Sequence, residues 1–362
     1  MQKINFDHTE SEFTIRCAKK EDIPQIMHFI KEYWDEGHIL ANSREMFEFQ
    51  YVYGEEVCFV ISQNKSTSEL EGILGYIPYG TEGERDIFTA LWKVRKGKNL
   101  FQGIDLLYYL EQNARCRDLF CAGINPKTFS IYKYMRKEVT KMEHFYMLND
   151  REEYKIARIV NKIIVNVAEI PYEVRRIEEP DQLQIFGENA EMQIRAMKSR
   201  EYVKRRFFEH IVYQYDIYEI KTKLGTAYVV GREQEQAGSV IFRIVDIWGS
   251  DQAISGIGLF LKDLIYKKQY EYIDCYAYGI DNEIMHQAGF EVVRENDENI
   301  IPNYFEPFVR ENVTIHIFIP PNRKVRMLKG DGDQDRPNAL TGKQAPIAQQ
   351  NRMGYNDRAT NS

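Results

Sequence analysis

The sequence predicts an α/β fold made of two tandem units of one kind. Apolar runs of strand length alternate with amphipathic runs of helical spacing. The order of these elements occurs twice, which reads as an internal repeat. The 362 residues are 43% hydrophobic and 13% aromatic, enough chain and apolar surface for two cores.

In the first half, residues 13–15 (FTI) read as a strand. Asp22 stands as an N-cap before Pro24, and Ile23, Ile26, Phe29 and Ile30 follow at helical spacing. Residues 57–62 (VCFVIS) and 72–79 (GILGYIPY) read as a hairpin joined by a polar loop. Residues 87–94 (IFTALWKV) form the next strand and 104–110 a helix. A strand at 119–124 (LFCAGI), a short helix at 129–135 and a strand at 144–148 (HFYML) close the half.

In the second half, strands are expected at 174–177, 217–221, 225–230, 239–246, 272–276 (YIDCY) and 313–319. Helices are expected near 181–186, at 257–266 and at 283–288. The domain reading is one unit at 11–150, a linker at 151–173, a second unit at 174–320 and a tail at 321–362. From about residue 339 the tail is rich in Gln, Asn, Gly and Ser, and disorder is expected there.

The net charge of −7 argues against a nucleic-acid partner, which needs a basic face. No run approaches the length of a membrane span, and the first ten residues lack the apolar core of a signal peptide. The five cysteines are odd in number and show no metal spacing, so free thiols in a reducing cytoplasm are expected.

The stretch 90–107 (ALWKVRKGKNLFQGIDLL) carries the first functional signal. A strand running through a glycine-bearing turn into a helix gathers backbone N–H groups, and Arg95, Lys96 and Lys98 add positive charge. Such a place suits a pyrophosphate. The plain alternative is a solvated basic turn.

The first half resembles the GNAT family of acyl-CoA-dependent N-acyltransferases. The resemblance rests on residues 15–26 (IRCAKKEDIPQI), the strand–loop–helix just described, and residues 124–135 (INPKTFSIYKYM). In that family the loop follows Arg/Gln-x-x-Gly-x-Gly/Ala; here the glycines fall at Gly97 and Gly103. The resemblance implies a mixed, mostly antiparallel sheet flanked by helices in each unit, and acetyl-CoA or another acyl-CoA as cofactor. It places the cofactor on Trp92, Val94, Arg95, Lys96, Gly97, Lys98, Asn99, Gln102 and Gly103, with Asn125 after the fifth strand. Tyr132 then falls where members carry the proton donor, against the alternative of a packed aromatic. The second half keeps residues 288–290 (AGF), but its loop at 249–258 is acidic, with Asp246 and Asp251 beside it. This reads as a degenerate unit that has lost the coenzyme.

The whole chain also resembles two-unit GNAT-like proteins of bacterial surface-polysaccharide (lipopolysaccharide) gene clusters. The matching stretches are 32–41 (EYWDEGHILA), 141–149 (KMEHFYMLN), 299–308 (NIIPNYFEPF) and 329–338 (KGDGDQDRPN). This implies acylation of a small amino-sugar acceptor, nucleotide- or lipid-linked, bound between the units.

Acyl transfer needs a neutral amine and a proton for the leaving thiolate. His38 and Asp86 are the candidate bases, the first as a neutral imidazole and the second through a water. A loop histidine with a structural hydrogen bond is the plain alternative. Asp331, Asp333 and Asp335 alternate as cation ligands do, but acids in a Gly-rich tail are more often solvated; no metal is expected. Residues 299–308 offer either a stacking platform for a sugar or a closing hydrophobic loop. The rival functions are a non-catalytic sugar- or partner-binding protein, and an aminoacyl-tRNA-dependent transferase.

Overall fold

The computed structural model describes residues 12–80, 83–95, 101–184 and 198–338. They form two compact units. One runs to Phe120 and includes Asn338; the other is Cys121–Pro337. The expected disorder from residue 339 lies outside the described residues.

The chain opens with β1 (Phe13–Ala18), α1 (Ile23–Tyr33), α2 (Ile39–Asn42), α3 (Arg44–Tyr51), β2 (Val52–Tyr53), β3 (Glu56–Asn64), β4 (Leu70–Pro78), β5 (Arg85–Val94), α4 (Gln102–Asn113) and β6 (Cys116–Ala122). Asp22 does not cap α1 through its side chain. Its carboxylate instead takes Arg16 at 2.6 and 2.8 Å and the Lys19 N–H at 2.7 Å. Ser43 caps α3, accepting from the Met46 N–H at 3.1 Å. Met46, Phe47 and Tyr51 are buried there, the two rings packing around Phe59.

The chain continues with α5 (Phe129–Tyr134), β7 (Glu138–Lys141), β8 (Glu143–Leu148), β9 (Tyr172–Arg176), α6 (Arg200–Val203), β10 (Asp216–Thr222), β11 (Gly225–Gln236) and β12 (Ser239–Trp248). Then come α7 (Asp251–Ser255), α8 (Gly258–Lys268), β13 (Tyr272–Tyr278), α9 (Asn282–Gln287), β14 (Glu291–Val292), β15 (Tyr304–Phe305), β16 (Phe308–Val309), β17 (His316–Ile319) and β18 (Met327–Leu328). The helix expected near 181–186 is one 3-10 turn, Pro180–Gln182, as far as the described residues reach.

Among the described residues the strands form two eight-stranded sheets and one small hairpin. One sheet has the order β1-β3-β4-β5-β6-β17-β7, with β2 on β3. The other has the order β14-β8-β13-β12-β11-β10-β9, with β18 on β13. β12 and β13 run parallel, while β8, β9, β11 and β18 pair with their neighbours antiparallel. Two strands exchange relative to their sequence positions. β8 pairs with β13, Ile273 opposite Met147, and β17 pairs with β7 and with Cys121–Ala122. The repeat read from the sequence is therefore a repeat of elements, not of self-contained sheets.

The core of the second sheet is apolar on one face, where Ile220, Val229, Phe242, Ile244, Leu261, Ile273 and Met285 pack together. Its other face carries charge. Arg243, Asp274 and His144 are buried there, with Arg243 donating to Asp274 at 2.6 Å and His144 Nε2 lying 3.1 Å from the same carboxylate. Burial alone would raise Asp274, but Arg243 and His144 bring its pKa down to about 2.

Candidate active site

The site is built on a β-bulge in the central strand of the first unit. β4 and β5 pair through Gly72↔Val94 and Leu74↔Trp92, and resume at Tyr76↔Thr89. Ala90 and Leu91 therefore both stand across from Gly75. The extra residue re-aims the strand and takes backbone groups out of the ladder. Glycine is needed opposite: a Cβ at Gly75 would lie 3.0 Å from the Phe59 ring and 3.1 Å from Tyr51. Glycine inside an apolar strand was the available sequence signal for this bulge.

After the bulge, Trp92 and Val94 complete β5. The Trp92 ring packs on the first turn of α4, where a Cβ at Gly103 would come within 3.0 Å of it. Gly103 is thus a helix residue that lets α4 approach the strand, and not part of the turn. Gln102 is buried beside it and donates to Ser62 Oγ at 2.7 Å. Arg95 donates its N–H to the Glu71 carbonyl at 2.8 Å. Its guanidinium pairs with Glu69 at 3.1 Å and Glu71 at 3.5 Å and lies over the Tyr33 ring. Among the described residues no side chain caps the start of α4, whose N-cap position is Phe101. Lys96, Gly97, Lys98 and Asn99 lie outside the described residues.

His38 is buried and caps α2, its Nδ1 accepting from the Leu40 N–H at 3.2 Å. With Nδ1 accepting, the neutral ring carries its proton on Nε2. Asp86 is wholly buried, and Arg117 pairs with it at 2.6 Å.

Asn125 and Tyr132 belong to the other compact unit. Asn125 Oδ1 accepts from the Lys127 N–H at 2.9 Å and caps a 3-10 turn. The Tyr132 ring is buried against Phe318, with centroids 4.5 Å apart. Burial pushes its phenol well above the ordinary value, against a hydrogen bond with Thr128 that acts the other way.

The second unit repeats the bulge. Val230↔Asp246 is followed by Gly231↔Ile244, leaving Val245 unmatched across a glycine. A Cβ at Gly231 would come 2.4 Å from the Phe242 ring and 2.8 Å from the Arg243 carbonyl. Parallel pairing of β12 with β13 is confined to Phe242–Ile244 with Ile273–Cys275, so the two strands fork beyond it.

The chain itself fills that fork. β18 pairs with Ala277 and Tyr278, and Gly330 donates its N–H to the Val245 carbonyl at 2.8 Å. Arg326 donates to the Gly249 carbonyl at 2.8 Å and to Asp251 at 2.5 Å. Ser250 Oγ accepts the Ala253 N–H at 3.1 Å, capping α7. Lys198 bridges Asp246 at 2.5 Å and Asp331 at 2.7 Å.

Asp335 takes Arg232 at 2.8 Å and the Tyr215 hydroxyl at 2.8 Å, while its carbonyl takes Arg206. Burial would raise this carboxyl, but Arg232 holds it well below the carboxylate range. The acids of residues 331–335, read from sequence as solvated, are therefore corrected. Asp331 and Asp335 are only 1% exposed, because basic partners more than ninety residues earlier meet them. Residues 299–308 close a hydrophobic loop: Phe305 and Phe308 are buried with centroids 5.6 Å apart, and are no open platform. All five cysteines are free, and no helix among the described residues is long and apolar enough to cross a membrane.

No protein-family profile and no curated protein matches this sequence. Solved structures do. A GCN5-related N-acetyltransferase from Anabaena variabilis aligns with a TM-score of 0.53 and 13% identity, over 85% of this chain and 72% of that one. A conserved protein of unknown function from Enterococcus faecalis, titled a probable N-acyltransferase, aligns with a TM-score of 0.51 and 11% identity, over 84% and 71%. Likeness at such identities is likeness of fold, and the chain carries the fold of the GCN5-related N-acetyltransferases.

Proposed function

We propose that this protein is an acyl-CoA-dependent N-acyltransferase whose first unit holds the coenzyme and whose acceptor is an amino sugar of bacterial surface-polysaccharide synthesis. The observation that carries the reading is the bulge of β5 leading to the uncapped start of α4. The bulge would supply strand N–H groups to polarise a thioester carbonyl, and the start of α4 would seat the pyrophosphate. The neutral amine attacks the carbonyl, the C–S bond breaks, and the thiolate takes a proton. Burial keeps the Tyr132 phenol protonated, the form a donor needs. Asp86 is committed to Arg117, so His38 is the proposed base, acting with loss of its cap to Leu40. The second unit takes no coenzyme in this reading, because the chain itself fills the fork: Arg326 holds the Gly249 carbonyl, the Gly330 N–H holds the Val245 carbonyl and Ser250 holds the Ala253 N–H.

Calorimetric titration with acetyl-CoA is the test, followed by acetylation of a panel of nucleotide-linked amino sugars. One coenzyme per chain and transfer to a sugar amine are expected. Absence of binding would favour a non-catalytic sugar-binding protein on the same scaffold.

A further inference from the structure

β9 is the end strand of its sheet, and no described residue pairs with its outer edge. Natural edges are usually protected by prolines, bulges, short strands or like charges that repel a second strand. β9 (YEVRR) has no proline and no bulge, carries charges of both signs in Glu173, Arg175 and Arg176, pairs in unbroken register with β10, and leaves Val174 47% exposed at its centre.

The direction of its backbone groups follows from one bond. The Ile177 N–H donates to the Ile217 carbonyl at 2.8 Å. Pairing continues in step through Tyr218↔Arg176, Glu219↔Arg175 and Ile220↔Val174. In an antiparallel ladder hydrogen-bonded and non-bonded pairs alternate. Arg175 and Glu173 therefore turn their N–H and C=O groups toward β10. Tyr172, Val174 and Arg176 turn theirs outward.

We propose that β9 pairs antiparallel with β9 of a second copy of this chain, about a two-fold axis at Val174. The register is self-complementary. Val174 meets Val174 of the other copy, and Tyr172 meets Arg176. All three are residues whose backbone groups face outward, so every outward group finds a partner. In the same register Glu173 stands opposite Arg175 of the other copy, which puts opposite charges across the join on both sides of the axis. A shift by one residue would set outward groups against inward ones. On the face where Tyr172 donates to Asp263 of α8 at 2.7 Å, the two Val174 side chains cover one another. Tyr266, one helical turn past Asp263 on α8, is 73% exposed. The interface is isologous, as a two-fold requires.

The test is sedimentation velocity over a hundredfold concentration range on the full chain, with two kinds of variant. Val174→Pro removes an outward N–H and no bond to β10, so the monomer fold, checked by circular dichroism, stays intact. The expected result is a wild-type dimer and a Val174→Pro protein whose dimer is about tenfold weaker or more. Register is read by oxidation. Val174→Cys is expected to give a covalent dimer, because facing residues lie about 5.5 Å apart at Cα. Arg176→Cys, four residues off its own copy, is expected to give none. A monomeric wild type, a dimer unchanged in folded Val174→Pro, or equal cross-linking at both positions would overturn the proposal.

Discussion

β5 and β12 begin alike and end differently. Each is a central strand with one extra residue set across a glycine, Gly75 in one unit and Gly231 in the other. In the second unit the groups released by the bulge are used at once. The Val245 carbonyl has the Gly330 N–H, the loop carbonyl of Gly249 has Arg326, and Ser250 caps the helix that follows. In the first unit α4 starts without a side-chain cap, and the turn before it is rich in lysine. A shared backbone device thus becomes an anchor for the chain itself in the second unit, whereas among the described residues no side chain caps the helix that follows it in the first.

The largest effect expected from breaking this contrast is at Asp335. Asp335→Ala leaves the Arg232 guanidinium and the Tyr215 hydroxyl buried without their carboxylate and should cost about 3–5 kcal/mol, read as a shift in the urea midpoint. If the segment were loosely held, the loss would stay within the range of a surface substitution.

Tyr132→Phe tests the donor role that the family resemblance implies, and a kcat lower by about a hundredfold with acetyl-CoA affinity unchanged is expected. His38→Asn separates cap from base, since asparagine caps a helix well but removes no proton. Unchanged stability with a hundredfold loss of kcat, roughly the weight of general base catalysis, is expected. Full turnover would leave His38 as a cap alone.

The two bulge glycines sharpen the comparison directly. Gly231→Ala should be the worse change, because its Cβ meets a backbone carbonyl that cannot give way, whereas Gly75→Ala presses on rings at 3.0 Å. Costs of about 1–3 kcal/mol are expected, with Gly231 at the upper end, and thermal unfolding of the pair reads the order.

A further contrast concerns pH. Lys329 is buried beside Asn303, its Nζ donating at 2.8 Å, and burial together with Arg243 and Arg232 lowers its pKa to about 7. Asp335 and Asp274 oppose that shift. Below pH 7 the folded and unfolded chains both carry the proton, and the destabilisation is complete. Between about 7 and the ordinary lysine value the unfolded chain binds more protons, so stability rises with pH. Lys329→Met should flatten that slope in denaturant titrations from pH 7 to 10; a slope unchanged by the substitution would assign it to other groups.

Much of this was legible in the residues. Apolar runs located β3, β4, β5, β12 and β13 because each holds an unbroken run of buried side chains, and the apolar residues of β10 located it although it is only half buried. Gly75 and Gly231, each interrupting such a run, mark the bulges. The helices α2 and α3 are absent from the sequence reading, because segments of four and eight residues are too short to show a helical period. The burial of Asp331 and Asp335 could not be read locally, since Lys198, Arg206 and Arg232 approach only through the tertiary fold. Nor could the strand exchange, because periodicity says that β8 and β17 are strands but not which neighbour each will meet.

The exchange of β8 and β17 governs how the chain can be made. The sheet that begins at residue 13 receives its β17 strand only after residue 319 has left the ribosome, and β8 waits some 120 residues for β13. Synthesis therefore delivers an early sheet with an open slot and an early strand with no place to go, and pairing of such high contact order is slow. No single cut of the gene yields two finished halves. A fragment ending near residue 149 would lack one strand and carry another without its partner, so each half of the repeat is finished only by the other.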